Sequence, residues 1–325
     1  MKIFEKLLIL AAAVLVTFCT GCGRADAEKN ETKAFTIVVS IPAPTHGWAA
    51  GVEWSAENMK KELEAKYPGS IVELVTAKDP EEQAKGIETL LMKNPDALVV
   101  MSQDPKPLTN VCSRAKKQGV FLVVVSNPIP TVASDVFVNG DNYSFGAAAA
   151  HAMAAALNKQ GRIFMLSGPT SPIVNDRIKG FKDVLTKDYP AIEIVSENNG
   201  DWGMESGQKL MEAFLQAQIN VDGVWVGDDD MLSGALKAFE RSGRTDIKAF
   251  VGGGAAKIIV KKVLDNDPAV KATVTYPPAM INTGIMAAVN ALQNGKKAEK
   301  AEIIVPSKIV DNSNAKEYYF PDSPY

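Results

Sequence analysis

At 325 residues the chain is too long for one comfortable core and suits two domains of about 100–200 residues each. Hydrophobic content of 46% and charged content of 22% are those of a globular protein. A formal net charge of −3 argues against the basic face that nucleic-acid binding needs, so no nucleic-acid partner is expected.

Residues 1–21 read as a signal peptide outside the fold. Lys2 and Lys6 form a short basic region, and Leu7 to Phe18 is nearly unbroken apolar. The run is shorter than the roughly 20 residues of a membrane-spanning helix. The small residues before Cys22 in Cys19-Thr-Gly-Cys22 resemble the lipobox of bacterial lipoproteins, which implies cleavage after Gly21 and diacylation of Cys22. Cys19 stands where that motif usually carries Leu, and an ordinary signal peptide cut elsewhere is the alternative. Residues 22–34 form the tether, polar and charged from Gly23. Of the cysteines, that leaves Cys112. Leu108, Val111, Cys112 and Ala115 recur at helical spacing, which buries the thiol on an apolar stripe, so no disulfide is expected.

Thr36-Ile37-Val38-Val39 opens the folded body as a strand apolar on both faces, the mark of a covered parallel sheet. Pro42 and Pro44 should end it, since proline cannot continue a central ladder. A loop bearing His46 leads to Trp48, where a helical stripe of Val52, Met59 and Leu63 begins. Ile71–Thr76 reads as the second strand. Asp79-Pro80-Glu81-Glu82 then starts a helix, with a capping carboxylate, a proline at the first helical position and an acid three residues on. Strands follow at Ala97–Met101 and Val120–Val125, ending in the polar loops Ser102-Gln-Asp-Pro105 and Ser126-Asn-Pro128. A short strand at Asp135–Val138 leads into the turn-rich Asn139-Gly-Asp-Asn142.

From Tyr143 the alternation restarts with an alanine-rich helix to Gln160. The strands expected are Arg162–Leu166, Ile192–Glu197, Val221–Val226, Lys248–Val251 and Val270–Thr275, with Glu302–Val305 finishing the regular structure. A loop to Asn175 precedes a helix to Thr186, and the loop holding Trp202 precedes one with Leu210, Met211, Phe214 and Leu215 inward. Asp228-Asp-Asp230 leads to a helix ending at Ser242, Gly252-Gly-Gly254 to one ending at Asp265, and Tyr276-Pro-Pro278 to Met280–Gln293. Strand–helix alternation of this length calls for two doubly wound α/β lobes rather than one oversized sheet.

Several pieces together resemble the ribose/galactose type of bacterial solute-binding protein. They are Thr36–Ser40 with the His46–Trp48 loop, Pro95–Val100, Asn139–Asn142 with Gly146, Arg177–Phe181, and Asp228–Met231 with Gly234 and Ala235. The resemblance covers residues 35–310 and rests on the order and spacing of elements. It implies the type I periplasmic binding protein fold, two doubly wound parallel-sheet lobes joined by a three-strand hinge. Residues 35–138 with 277–305 would form the N-terminal lobe, and 139–276 with 306–325 the C-terminal lobe. The chain would cross between them near Asn139, Tyr276 and Val305. Hinge closure would trap a ligand between the lobes, and a monomer would pass it to an ABC permease.

That family builds its sugar site from the carboxyl ends of strands in both lobes. Aromatic rings cover C–H faces, and convergent polar groups hold hydroxyls. Carried over position by position, the resemblance assigns the ligand site to His46, Trp48, Ser102, Ser126, Asn127, Asn175, Trp202, Asp228 and Tyr276. Trp48 and Trp202 would sandwich a ring from opposite lobes. Three charged positions depart from the pattern. Ser126-Asn127 replaces the Asp-Arg of many members, Gly252–Gly254 stands where an Asp is common, and Asn175 stands where an Arg often reaches the sugar. The expected ligand is therefore either less polyhydroxylated or held by amides, His46 and Tyr276.

Other chemistries fare worse. Of Asp228–Asp230, one is expected to cap the next helix, another to bind ligand and the third to be solvated, so no metal site is expected. Gly252–Gly254 lacks both GxGxxG and GxxxxGK(S/T), and no cofactor is expected. His46 and His151 are the only histidines, and His151 is read as structural or exposed. No His-pair metal site and no Ser-His-acid set is supported. Trp54 and Trp225 are read as core residues. The leading expectation is a lipid-anchored binding protein that takes a small carbohydrate or related polar ring to an ABC importer. A ligand sensor for a membrane receptor or kinase, and an enzyme on a similar scaffold, are the alternatives.

Overall fold

The computed structural model describes residues 33–325, so the expected signal peptide and Cys22 lie outside the described residues. The strands in chain order are β1 (Thr36–Pro42), β2 (Ile71–Ala77), β3 (Ala97–Met101), β4 (Phe121–Val125) and β5 (Val136–Gly140). There follow β6 (Gly161–Ser167), β7 (Ile192–Asn199), β8 (Gly223–Val226), β9 (Ala249–Val251) and β10 (Val270–Val274), then β11 (Glu302–Val305) and β12 (Ile309–Val310). They form two six-stranded sheets, ordered β11-β5-β4-β3-β1-β2 and β12-β10-β9-β8-β6-β7. The paired strands are parallel except for β12, which runs antiparallel to β10. The chain thus builds two α/β lobes, leaving the first sheet after β5, returning for β11 and leaving again for β12.

Local chemistry explains the elements. All residues of β3 and β4 are buried, as central parallel strands covered on both faces require. β1 outlasts its pairing with β3, so Pro42 pairs only with Ala77 of β2, where one neighbour remains to be satisfied. Asp79 caps α2 (Pro80–Leu91) by accepting from Glu82 N at 2.7 Å. The same device recurs where loops were expected. Asp104-Pro105 starts α3 (Pro105–Lys117), and Ser171-Pro172 starts α5 (Pro172–Asp188), with Ser171 Oγ accepting from Val174 N at 3.3 Å. Asn175 therefore lies on the first turn of a helix. β12 and the short α10 (Ala315–Tyr318) also extend beyond Val305, where regular structure was expected to end.

Helices α1 (Gly47–Lys66) and α9 (Met280–Gln293) pack on the first sheet, and α4 (Asn142–Ala156) packs on β8, β9 and β10 of the second. α6 (Met204–Gln216), α7 (Asp229–Ser242) and α8 (Lys257–Leu264) complete the order. Trp225 is fully buried and stacks on Phe181 at 4.0 Å between ring centroids. Trp54 corrects its core assignment. It is 43% exposed, because α1 buries Ala49, Val52, Ala56 and Leu63 and position 54 falls on the opposite face. Cys112 is buried among apolar neighbours, which pushes its thiol up to about 12. His151 is exposed, with Nδ1 3.0 Å from the Tyr189 hydroxyl.

α4 and α5 meet backbone to backbone. A Cβ on Gly146 would lie 1.8 Å from the Arg177 carbonyl oxygen, and one on Gly180 would lie 2.0 Å from that of Tyr143. Gly180→Ala must push the helices apart and is expected to cost about 1–3 kcal/mol or more. Gly86, in the middle of α2 with nothing within 4 Å of an added methyl group, is the control: Gly86→Ala should stabilise by roughly 0.5–1 kcal/mol. Denaturant midpoints check both, and a neutral Gly180→Ala would refute the close approach.

Candidate functional site

Loops at the carboxyl ends of β1, β3, β4, β6, β7, β8, β9 and β10 converge on a cavity of about 320 Å³ between the lobes. This is near the lower end of the roughly 300–1,000 Å³ of small-molecule sites. His46, Trp48, Ser102, Ser126, Asn127, Trp202, Asp228 and Tyr276 all line it.

Asn175 does not. It is exposed, whereas Val174 and Arg177 turn inward three residues apart on the same face of α5. Arg177 lines the cavity instead, so a charged side chain does stand there. A signal existed in the sequence: Arg177 falls on the stripe of Val174, Phe181 and Leu185, and a charge on a buried stripe demands a reason. Gly253 and Gly254 also line the cavity, where a Cβ on Gly253 would strike the Phe145 ring at 2.3 Å.

Arg177 is 6% exposed and heavily tied down. Its Nε donates to Asn142 Oδ1 at 3.1 Å and its Nη1 to the Gly227 carbonyl at 3.0 Å. The guanidinium centre lies 4.0 Å from the Phe145 ring centroid, 4.5 Å from Tyr276 and 5.7 Å from Trp202. Burial disfavours its charge, and the Tyr276 hydroxyl and Asp228 carboxyl oppose that shift. Nε and Nη1 make these bonds, and the Tyr276 hydroxyl is a further hydrogen-bonding neighbour of the guanidinium.

The acids after β8 divide the work differently from expectation, since none is merely solvated. Asp228 caps α7, its Oδ1 accepting from Asp230 N at 2.9 Å and Met231 N at 3.0 Å. Both of those bonds fall on one oxygen, so the cap does not engage Oδ2, and the residue lines the cavity. Burial first, then neighbouring Asp230, pushes the Asp228 carboxyl well above the usual range. Asp229 is fully buried and structural. It accepts from Gly253 N and Ala256 N, each at 2.8 Å, and from Thr273 Oγ1 at 2.9 and 3.0 Å, while burial pushes it up to about 7. Asp230 Oδ2 crosses to the first lobe and accepts from Gly47 N at 2.7 Å.

Aromatic and hydroxyl groups complete the walls. Trp48 Nε1 donates to the Tyr276 carbonyl at 2.7 Å, and the two rings lie 5.7 Å apart. The Tyr276 and Ser126 hydroxyls are 3.1 Å apart, and Asn127 Nδ2 donates to the Ser102 carbonyl at 2.8 Å. Ser102 Oγ is buried without a hydrogen-bond partner among the described residues. Burial lowers His46 below the ordinary imidazole range, against the pull of Asp230 and Asp201, so the ring is neutral near pH 7. Ser126 and Trp202 hold left-handed backbone, φ +66 and +74, a strain of about 1–3 kcal/mol each that gathers at functional sites.

The Trp202 ring is seated over Gly168, where a Cβ would lie 2.1 Å from ring carbon. Gly168→Ala should therefore expel the ring from the cavity while leaving the fold intact. The expected result is a red shift in tryptophan emission with unchanged far-ultraviolet circular dichroism. Unaltered emission would refute the seating.

A family model for the periplasmic binding protein domain matches residues 37–297. The ribose import binding protein RbsB of Bacillus subtilis is 26% identical over 285 residues, 87% of this chain and 89% of that one. A D-apiose import binding protein of Paraburkholderia graminis is 24% identical, with 97% of each chain covered. Among solved structures, an ABC transporter solute binding protein from Bacillus halodurans with bound myo-inositol superposes with a TM-score of 0.77 at 21% identity. That likeness covers 90% of this chain and 99% of the other, and establishes the shared two-lobed fold. With the matching family model spanning both lobes, the chain belongs to the periplasmic binding protein family.

Proposed function

We propose that the chain captures a small sugar or polyol in the inter-lobe cavity and delivers it to an ABC importer. The observation that carries this reading is the buried Arg177 and Asp228 set among the Trp48, Trp202 and Tyr276 rings. Charged hydrogen-bonding groups grip hydroxyls, and the rings cover apolar C–H faces. The names of the relatives, for ribose and D-apiose import, support the same ligand class. In this reading residues 35–138 with 277–305 move against 139–276 with 306–325 about the crossings near Asn139, Tyr276 and Val305. His46, Ser102, Ser126 and Asn127 supply further polar contacts, and Trp48 and Trp202 sandwich the ring. The chain works as an exported monomer held to the membrane through lipidated Cys22.

A panel of mono- and disaccharides, polyols and nucleosides should yield a ligand that raises the melting temperature. At a hundredfold excess over its dissociation constant it adds about 2.7 kcal/mol. A panel without any shift refutes the carbohydrate reading. For the ligand found, Arg177→Met should weaken binding at least tenfold and Asn175→Ala less than twofold. Cys22→Ser should release the protein from membrane fractions, and lipid labelling that persists in this variant would overturn the anchor.

A further inference from the structure

α1 begins at Gly47, and the His46 side chain before it caps no backbone N–H. The cap comes from the other lobe, as Gly47 N–H donates to Asp230 Oδ2 at 2.7 Å. A carboxylate at this end of a long helix is also favoured by the helix dipole. A Cβ on Gly47 would lie 2.9 Å from both Asp230 oxygens, so glycine permits the approach.

Tyr325 fills the same seam and is 7% exposed. A Cβ on Gly47 would lie 3.1 Å from its Cδ2, one on Gly51 would lie 2.9 Å from its Cβ, and one on Gly254 would lie 1.9 Å from its hydroxyl oxygen. It therefore touches α1 of the first lobe and the Gly254 loop of the second. Lys257 Nζ steadies the preceding segment by donating to the Pro321 carbonyl at 3.1 Å and to that of Ser323. Neither Asp230 nor Tyr325 lines the ligand cavity.

A contact made only when two lobes are closed favours the closed state, whether or not it touches ligand. We propose that Asp230 and Tyr325 form a closure latch that sets ligand affinity and residence time from outside the cavity. The inference rests on the proposed capture of a ligand by lobe closure. Its working parts are the Asp230 acceptor and the Tyr325 ring, because the Tyr325 hydroxyl has no hydrogen-bond partner among the described residues.

Four variants of the full chain test the latch: Asp230→Ala, Asp230→Asn, Tyr325→Gly and Tyr325→Phe. The readouts are stopped-flow fluorescence with the sugar giving the largest melting shift, and small-angle scattering and denaturation of the ligand-free protein. Asp230→Ala and Tyr325→Gly should speed dissociation and weaken binding about tenfold, with association unchanged. Asp230→Asn and Tyr325→Phe keep acceptor and ring and should stay within about threefold of the parent. An unchanged dissociation rate in Asp230→Ala overturns the latch, and a loss of ligand-free stability without faster dissociation marks a structural role and overturns it too. Should no sugar bind the parent, the proposed function fails while scattering still judges the latch. The ligand-free parent is then expected to be more compact than Asp230→Ala, and identical profiles would refute it.

Discussion

A guanidinium buried at the floor of the cavity is the constraint on which this structure turns. Taking Arg177 out of water is costly unless its charge is met by acceptors, rings and a counter-charge. Asn142, the Gly227 carbonyl, Phe145, Tyr276 and Asp228 meet those needs, drawn from well-separated parts of the chain. Asn142 and Phe145 belong to α4, which reaches Arg177 because Gly146 and Gly180 let two helix backbones touch. The glycines of the helix pair and the polar floor of the cavity are therefore one arrangement. Loosening the first moves the second.

Three adjacent aspartates show how a single helix start can serve core, cavity and seam. Successive residues at a helix N-terminus point in different directions, so neighbours in sequence meet different surroundings. Asp228 caps α7 with one oxygen and lines the cavity. Asp229 turns into the protein and ties Gly253, Ala256 and Thr273 together, which shapes the glycine wall opposite. Asp230 turns outward and reaches α1. Burial raises Asp228 and Asp229, and the like charges beside them add to the shift, because three carboxylates cannot all be cheaply ionised in so small a volume.

The two lobes contribute unlike halves to the cavity. Ser102, Ser126, Asn127, His46 and Trp48 come from the ends of strands in the first sheet and are neutral, whereas Arg177 and Asp228 come from the second lobe. Left-handed Ser126 and Trp202 stand one on each side. Such backbone strain is tolerated where rigid sheet ends over-determine the loop. Tyr276, at the crossover after β10, joins the halves through Ser126 and Trp48.

Hydrophobic runs, proline–aspartate pairs and glycine clusters in the sequence determined most of the architecture, because strand burial and helix capping are local chemistry. Asp79-Pro80 announces α2, and Leu108, Val111, Cys112 and Ala115 announce the buried face of α3. Ser171-Pro172 carries the same signature, which sets Asn175 on the first turn of α5 and Arg177 on its buried stripe. Eight of the nine residues assigned to the site by resemblance line the cavity, since loops after parallel strands share one edge of the fold. What only the tertiary structure decided were partnerships between distant parts: Arg177 with α4, Asp230 with α1 and Tyr325 between lobes. Local sequence carries no record of which buried charge faces which partner, because that depends on how closely helices and lobes approach.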